Sequence, residues 1–388
     1  MKIVHVCLTG SYNDNWGYQD NIIPKYHKLD GHDVTVITTT FVNSKKHNGY
    51  ERVAPKEYYL DNGVKIIRLP FIKFPVKKVV EKLRIYKGLF KKLESEQPDF
   101  IFIHGLQFID IYHVVRYLRK NKNIKTVVDN HADFSNSATN WLSKNILHRI
   151  IWRLCALLIK PYTQRFYGVL PARVDFLVKL YGIPREQVEL LVMGADDEKV
   201  LEAKQEFVKD EIRNKFGIKS SDFLIVTGGK IDLAKRQTLM LMKAVKQLDQ
   251  DNIKLLVFGS IVDELKNDLL SLVDDNKIQY IGWIPSDDSY KYFGAADLAV
   301  FPGRHSVFWE QVTGMGIPMI VKYWEGTTHV NVGGNCLFLY KDTTEEISEK
   351  IIEVIDNPDV YQKMKRIAEK EGIERFSYLK IARRSINL

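Results

Sequence analysis

Apolar residues fall along this chain in short runs, divided by stretches with helical spacing. Residues 2–8 (KIVHVCL) are dominated by apolar positions and give way to a polar, glycine-bearing loop, TGSYNDNWGYQDN. A helix is predicted over 22–29, then Gly31-His32 and a second strand at 34–39. The order returns with a strand at 100–104, a helix over 109–119 and a strand at 126–129. In the second half strands are predicted at 223–226, 254–258, 278–280, 298–301 and 319–321, with helices between them. Strands alternating with helices predict an α/β protein with parallel, doubly wound sheets. Such sheets bind ligands beyond the carboxyl ends of their strands.

A break is expected near Gly194-Ala195-Asp196-Asp197, where a strand-like run over 188–193 ends and a charged helical stretch begins. A chain of 388 residues fits two domains of ordinary size. The reading is therefore two Rossmann-like domains facing across a cleft, 1–197 and 198–370, with a helix over 371–388 crossing back to the first.

Composition narrows the class. Hydrophobic residues at 45% and charged residues at 27% are those of a soluble globular protein. The opening MKIVHVCLTG has no small-residue cleavage site and reads as a strand, not a signal peptide. No run of 18 apolar residues suggests a transmembrane helix. Cys7, Cys155 and Cys336 are odd in number and far apart, neither a disulfide framework nor a metal site, so a reducing cytoplasm is expected.

The net charge of +9 favours anionic partners. Without a zinc-finger, homeodomain or RNP-type signature, nucleic acid is not expected among them. The charge is uneven. Residues 72–92 are Lys-rich with a single Glu, and residues 145–167 mix Arg and Lys with Trp, Tyr and Phe. Both suit amphipathic segments lying on an anionic bilayer. The alternative is a helix that buries its apolar stripe in the core and turns its Lys outward.

The segment FLIVTGGKIDLAKR (223–236) carries the most chemistry. A buried strand runs into Gly228-Gly229, and Lys230, Lys235 and Arg236 follow. Paired glycines permit a tight turn and close approach of a ligand to the main chain. Spaced cations suit a ligand with two negative phosphates. The plainer reading is a strand-to-loop turn with a solvated basic face.

With these pieces in place the chain resembles the retaining glycosyltransferases of family 4, which have the GT-B fold. The resemblance covers nearly the whole length. It rests on GGKIDLAKR, YIGWIPSDDSYKYFGAADLAVFPG and EQVTGMGIP in family order, with WGYQDNIIPKYHKLDGHDVTVITT and VVDNHADFSNS in the first half. It implies transfer of a sugar from a nucleoside-diphosphate donor to a glycan or polyprenyl-lipid-linked acceptor. Retention, no metal and no other cofactor are expected, as is a place in bacterial cell-surface polysaccharide or glycoconjugate synthesis. Expected localisation is cytoplasmic, peripheral on the inner face of the membrane. A nucleotide-sugar epimerase on the same scaffold and a degenerate sugar-nucleotide-binding protein are the alternatives.

The resemblance also assigns residues. Lys230, with Lys235 or Arg236, would hold the donor diphosphate, and His131 would stand beside the reacting sugar carbon. Gly17 and Tyr18 would approach the diphosphate, Gly229 the phosphates, and Gly282, Trp283 and Ile284 the nucleotide base. The loop with His305, Ser306 and Val307 would meet the donor sugar, and Asp133 and Asn136 would orient the acceptor. One departure stands out. Many relatives carry two Glu separated by seven residues, and counting back from Gly316-Ile317-Pro318 places Gly303 and Gln311 there. Gln311 could bond ribose hydroxyls through its amide. Glu310, one residue early, could take that place only with a shift of helical register.

Overall fold

The computed structural model describes residues 1–44, 49–274 and 276–388. It divides into two compact units, one of Met1–Val192 with Ile381–Leu388 and the other of Met193–Lys380.

In the first unit eight strands form one sheet in the order Val188–Leu190, Arg165–Gly168, Lys125–Asn130, Phe100–His104, Lys2–Cys7, Asp33–Thr39, Lys65–Leu69, Glu57–Tyr59. Every pairing is parallel except the last. Alternation along the strands sorts two faces. Val4, Val6, Ile101 and Ile103 enter a large apolar core on one face. Cys7, Val34, Val36 and Ile66 line a smaller one. His5 and Phe102 are register partners on neighbouring strands, with rings stacked at 5.2 Å.

The second unit holds six parallel strands in the order Ile278–Tyr280, Ile253–Phe258, Phe223–Gly228, Leu298–Phe301, Met319–Lys322, Cys336–Leu339. The chain steps outward from Phe223–Gly228 to one edge and returns on the other side at Leu298–Phe301. The crevice at that reversal is where doubly wound sheets take ligands.

Two expectations need correction. Residues 72–92 are not one amphipathic helix. Lys77–Leu83 and Leu89–Glu96 are separate helices, broken where Arg84 and Gly88 adopt left-handed backbone. The basic segment 145–167 ends in the strand Arg165–Gly168, where Phe166 and Tyr167 are buried. Its helical part, Ser143–Trp152 continued by Arg153–Ile159, buries Trp152, Cys155, Ala156 and Ile159. A second stripe of Ile150, Leu154 and Leu158 stays exposed, as do Trp141 and Leu142. The helix is apolar on two faces, and only one is covered within the unit. Cys7, Cys155 and Cys336 are free and buried. Among the described residues no helix is long and apolar enough to cross a membrane.

Candidate functional site

In the second unit the central strand ends in three close backbone approaches. Gly229 N–H donates to Phe258 O at 3.0 Å, and Gly259 N–H donates to Gly282 O at 2.7 Å. A Cβ on Gly259 would lie 1.8 Å from Gly229 O, and one on Gly228 would lie 2.1 Å from the Phe258 ring. Gly229 and Gly259 also hold φ of +124° and +132°, backbone that glycine tolerates best. The glycines therefore let neighbouring strand ends converge.

Beyond this turn Gly229, Lys230, Ile231 and Lys235 line a pocket with Thr238, Pro302, Gly303, Arg304 and Ser306. Only about 20 Å³ of it admits the centre of a water molecule, room for a phosphate oxygen at its mouth and not for a nucleotide. The lining residues carry three cations and no carboxylate. Lys235 is half-buried, and loss of hydration lowers its pKa while Asp232 opposes the shift. Lys230 is 61% exposed and 3.7 Å from Asp232. Arg236 is exposed and is not among the lining residues, so the geometry puts Lys235 beside Lys230. Arg304 joins them. It lay in plain sight in the PGRHSV loop, yet nothing in the spacing separated it from a solvated arginine.

That loop leads into the helix Phe308–Met315. Ser306 Oγ accepts from Phe308 N–H at 3.2 Å, and Val307 is exposed. Glu310 is not among the residues that line the pocket. Its carboxylate is fully buried, and Oε1 accepts from His305 Nε2 at 2.8 Å and His329 Nε2 at 3.0 Å. Burial alone would raise its pKa, but the two imidazoles hold it well below the carboxylate range. His329 stands nineteen residues away in sequence, and nothing in its local pattern announced the contact. Gln311 is buried, donating from Nε2 to Ser289 Oγ at 2.9 Å. A Cβ on Gly303 would meet nothing closer than 3.5 Å, so packing does not forbid a side chain there. Trp283 is 71% exposed. Gly282 and Ile284 flank it and do not line the pocket.

In the first unit His131 follows the strand Lys125–Asn130. Its Nε2 donates to Oδ2 of fully buried Asp129 at 3.2 Å. The same oxygen accepts from His104 Nδ1 at 2.9 Å, and Gln19 Nε2 reaches it at 3.4 Å. Burial raises the Asp129 pKa, but His104 and His131 pull it well below the carboxylate range. Gly17 and Tyr18 are exposed just ahead of the helix Gln19–Leu29, whose first turn carries Gln19 to Asp129. Asp133 Oδ1 accepts from Ser135 and from Asn136 N–H, and Asp133 Oδ2 from Arg173. Asn136 Nδ2 donates to His131 O at 2.8 Å. Both side chains thus shape the turn that carries His131. His104, at the end of the strand Phe100–His104, belongs to the buried cluster.

Two groups could be taken for cation sites, since ligand atoms lie within 4.8 Å in His104, Asp129 and His131 and in His305, Glu310 and His329. In each, one carboxylate oxygen already accepts from two imidazoles, and that sharing brings the atoms together without an ion.

Comparison with known proteins adds independent findings. The family model "Glycosyltransferase Family 4" matches residues 21–199, and "Glycosyl transferases group 1" matches 208–371. The chain is 21% identical over 284 residues to mannosylfructose-phosphate synthase of Agrobacterium fabrum, a match spanning 69% of this chain and 60% of that relative's length. In solved structures it is similar to a glycosyltransferase from Rickettsia africae, with TM-score 0.67 and 15% identity over 99% of this chain and 96% of that one. It is also similar to Anabaena HepE in complex with UDP, with TM-score 0.66 and 14% identity over 99% and 98%. At these identities the structural likenesses speak for the fold.

Proposed function

The chain belongs to glycosyltransferase family 4 and has the GT-B fold, and from that footing we propose that it moves a sugar from a nucleoside-diphosphate donor to a hydroxyl acceptor. The observation that carries this reading is the pocket at the strand reversal, where Lys230, Lys235 and Arg304 converge on a glycine turn without a carboxylate. Such a set suits a diphosphate and repels a metal cation. As the bond from sugar to phosphate lengthens, negative charge grows on the leaving diphosphate. Cations placed at the pocket, of which Lys235 is partly dehydrated, stabilise that charge more than they stabilise the ground state. No metal is then required for departure.

The attack proceeds with retention in this proposal. The departing phosphate oxygen takes the acceptor hydroxyl's proton while the acceptor oxygen bonds the anomeric carbon on the face being vacated. Asp129 and Glu310 are buried and held by imidazoles, which favours a route without a carboxylate nucleophile. His131 serves as a polar contact to the donor sugar, held by Asp129. The acceptor meets the 131–137 turn, whose shape Asp133 and Asn136 set.

A lipid-linked acceptor at an anionic membrane fits the uncovered apolar stripe Ile150, Leu154 and Leu158. Lys144, Arg149 and Arg153 are exposed beside it. Phe74, Val76 and Val79, with exposed Lys77 and Lys78, offer a second such surface. A glycoconjugate acceptor on the inner membrane face is the partner these surfaces suit.

The test is a thermal-shift screen of UDP-, GDP- and dTDP-sugars, followed by titration of variants. The double variant Lys230→Ala/Lys235→Ala is expected to bind the stabilising donor about 100-fold more weakly, from loss of charge-assisted bonds. Arg236→Ala is expected to change affinity by about threefold or less, as an exposed charge outside the pocket does. Should no nucleotide sugar stabilise the protein, or the double variant bind as tightly as the parent, the proposal falls. Activity that survives EDTA is expected, and a metal requirement would overturn the metal-free route.

A further inference from the structure

The buried carboxylate Asp129 is one end of a row of imidazoles that crosses the first unit. His104 Nε2 lies 2.9 Å from His5 Nδ1, and His5 Nε2 lies 3.1 Å from His27 Nδ1. His27 Nε2 lies 2.9 Å from Ala382 O and 3.2 Å from Ser385 Oγ, whose own hydrogen is directed to Ala382 O at 2.7 Å. All three rings are buried, at 0%, 0% and 3% exposure for His5, His27 and His104. The row follows from strand parity. His5 and His104 point to one face from adjacent strands, with Phe102 stacked on both, and that face is covered by the helix bearing His27.

Counting hydrogens along this row decides its charge. The carbonyl of Ala382 and an ionised Asp129 only accept, and each contact between two ring nitrogens needs one proton. Four hydrogen bonds run from Ala382 to Asp129 through three imidazoles. Three neutral imidazoles supply three N–H groups, one too few.

We propose that the row His27–His5–His104 carries one excess proton, held on His104 against Asp129, and that His104 is thereby a positioning residue for His131. With His104 as imidazolium, the Asp129 charge is already neutralised. Asp129 then orients His131 through its Nε2–H without drawing a second proton onto it. His131 stays neutral, and its Nδ1 keeps a lone pair that can accept a hydroxyl hydrogen. Burial, with the neighbouring rings, keeps His5 well below the ordinary histidine pKa, and burial puts His27 at about 4, so neither takes the proton from His104. The other titratable groups around the row are Asp20 on the helix Gln19–Leu29, Cys7 on the first strand, and Asp30 and His32 after the helix. Asp30 is paired with Arg383, and burial pushes the Asp20 carboxyl and the Cys7 thiol up.

The role of His131 rests on the transfer reading above, but the proton count does not. The test is nitrogen-15 NMR of the full-length protein with labelled histidine. At pH 8 one ring of the row is expected to carry hydrogen on both nitrogens, with His131 neutral and protonated at Nε2. In His104→Gln, where the compensating charge is gone, the midpoint for protonation of His131 is expected to rise by about one to three pH units. If the variant is active, the acid limb of its kcat/KM profile moves by the same amount. A wild-type spectrum with His5, His27 and His104 all neutral at pH 8 overturns the proposal, as does an unmoved His131 midpoint. If His104→Gln does not fold, the wild-type spectrum decides alone. Loss of nucleotide-sugar binding by the parent protein would instead count against the transfer reading and leave the proton count standing.

Discussion

Each unit buries one carboxylate between two imidazoles, yet the two clusters are built to different ends. Asp129 takes N–H groups from His104 and His131 on one oxygen, and His104 passes the contact on through His5 and His27 to a backbone carbonyl. Glu310 likewise takes His305 and His329 on one oxygen, but there the line stops. His329 Nδ1 has no hydrogen-bond partner among the described residues, and the second oxygen of each carboxylate, Asp129 Oδ1 and Glu310 Oε2, has none either. The first cluster must therefore account for a surplus proton, while the second balances with two neutral rings each donating once. An identical local motif thus carries different charge according to what lies one bond further out.

Removing the carboxylate charge tests that distinction most sharply. Asp129→Asn leaves a buried imidazolium without its counter-charge and is expected to destabilise the first unit by about 3–5 kcal/mol. Glu310→Gln keeps an acceptor oxygen between two neutral rings and is expected to cost about 1–2 kcal/mol in the second. Chemical denaturation of both variants checks the difference, and equal losses would mean that the two clusters carry the same charge.

Acid should separate the units next. His27 has a folded pKa of about 4 against 6.5 for an ordinary histidine, so between these values the unfolded chain binds the extra proton. The contribution of His27 to the stability of the first unit is then full above about pH 6.5 and declines as pH falls towards 4, with His5 adding in the same direction. Glu310 has a depressed pKa, so its contribution is present above about 4.5 and is lost only as pH falls through its lower folded value. Hydrogen exchange at pH 7 and pH 5 is expected to loosen the strands Lys2–Cys7 and Phe100–His104 before the helix Phe308–Met315. The reverse order would contradict a row whose inner rings are neutral.

The smallest expected effect lies at the far end of the row. Ser385→Ala removes one of two acceptors from His27 Nε2 and leaves Ala382 O in place, which is worth about 1 kcal/mol. A shift in melting temperature well beyond that would show that the row depends on Ser385 and not on the carbonyl.

Much of this architecture was legible in the residues because it depends on short-range pattern. Apolar runs such as FLIVTG and KIVHVC became central strands, and the paired glycines before Lys230 were needed for backbone approach, as Gly259 shows from the opposite side. The edge strands Glu57–Tyr59 and Cys336–Leu339 passed unread. The site divided in the same way. Lys230 and Lys235 are near neighbours and could be grouped by eye. The choice between Lys235 and Arg236 turned on one residue of rotation in the short helical turn Leu233–Lys235. His5, His27, His104 and Asp129 are joined only by the sheet, across 99 residues in the pair His5 and His104. A histidine set inside each of two apolar strands was the visible signal, and it gains meaning only when the strands are neighbours.

The first unit includes Ile381–Leu388, and the buried ring of His27 finds its acceptor at Ala382. During synthesis, the amino-terminal sheet emerges long before the residues that close over its histidine face. Co-translational folding can complete the second unit as far as Lys380 while the first still lacks its final turn of helix. The earlier-made half is therefore complete only once Ile381–Leu388 have been made, and a chain stalled before them would display an open polar face in the half that was made first.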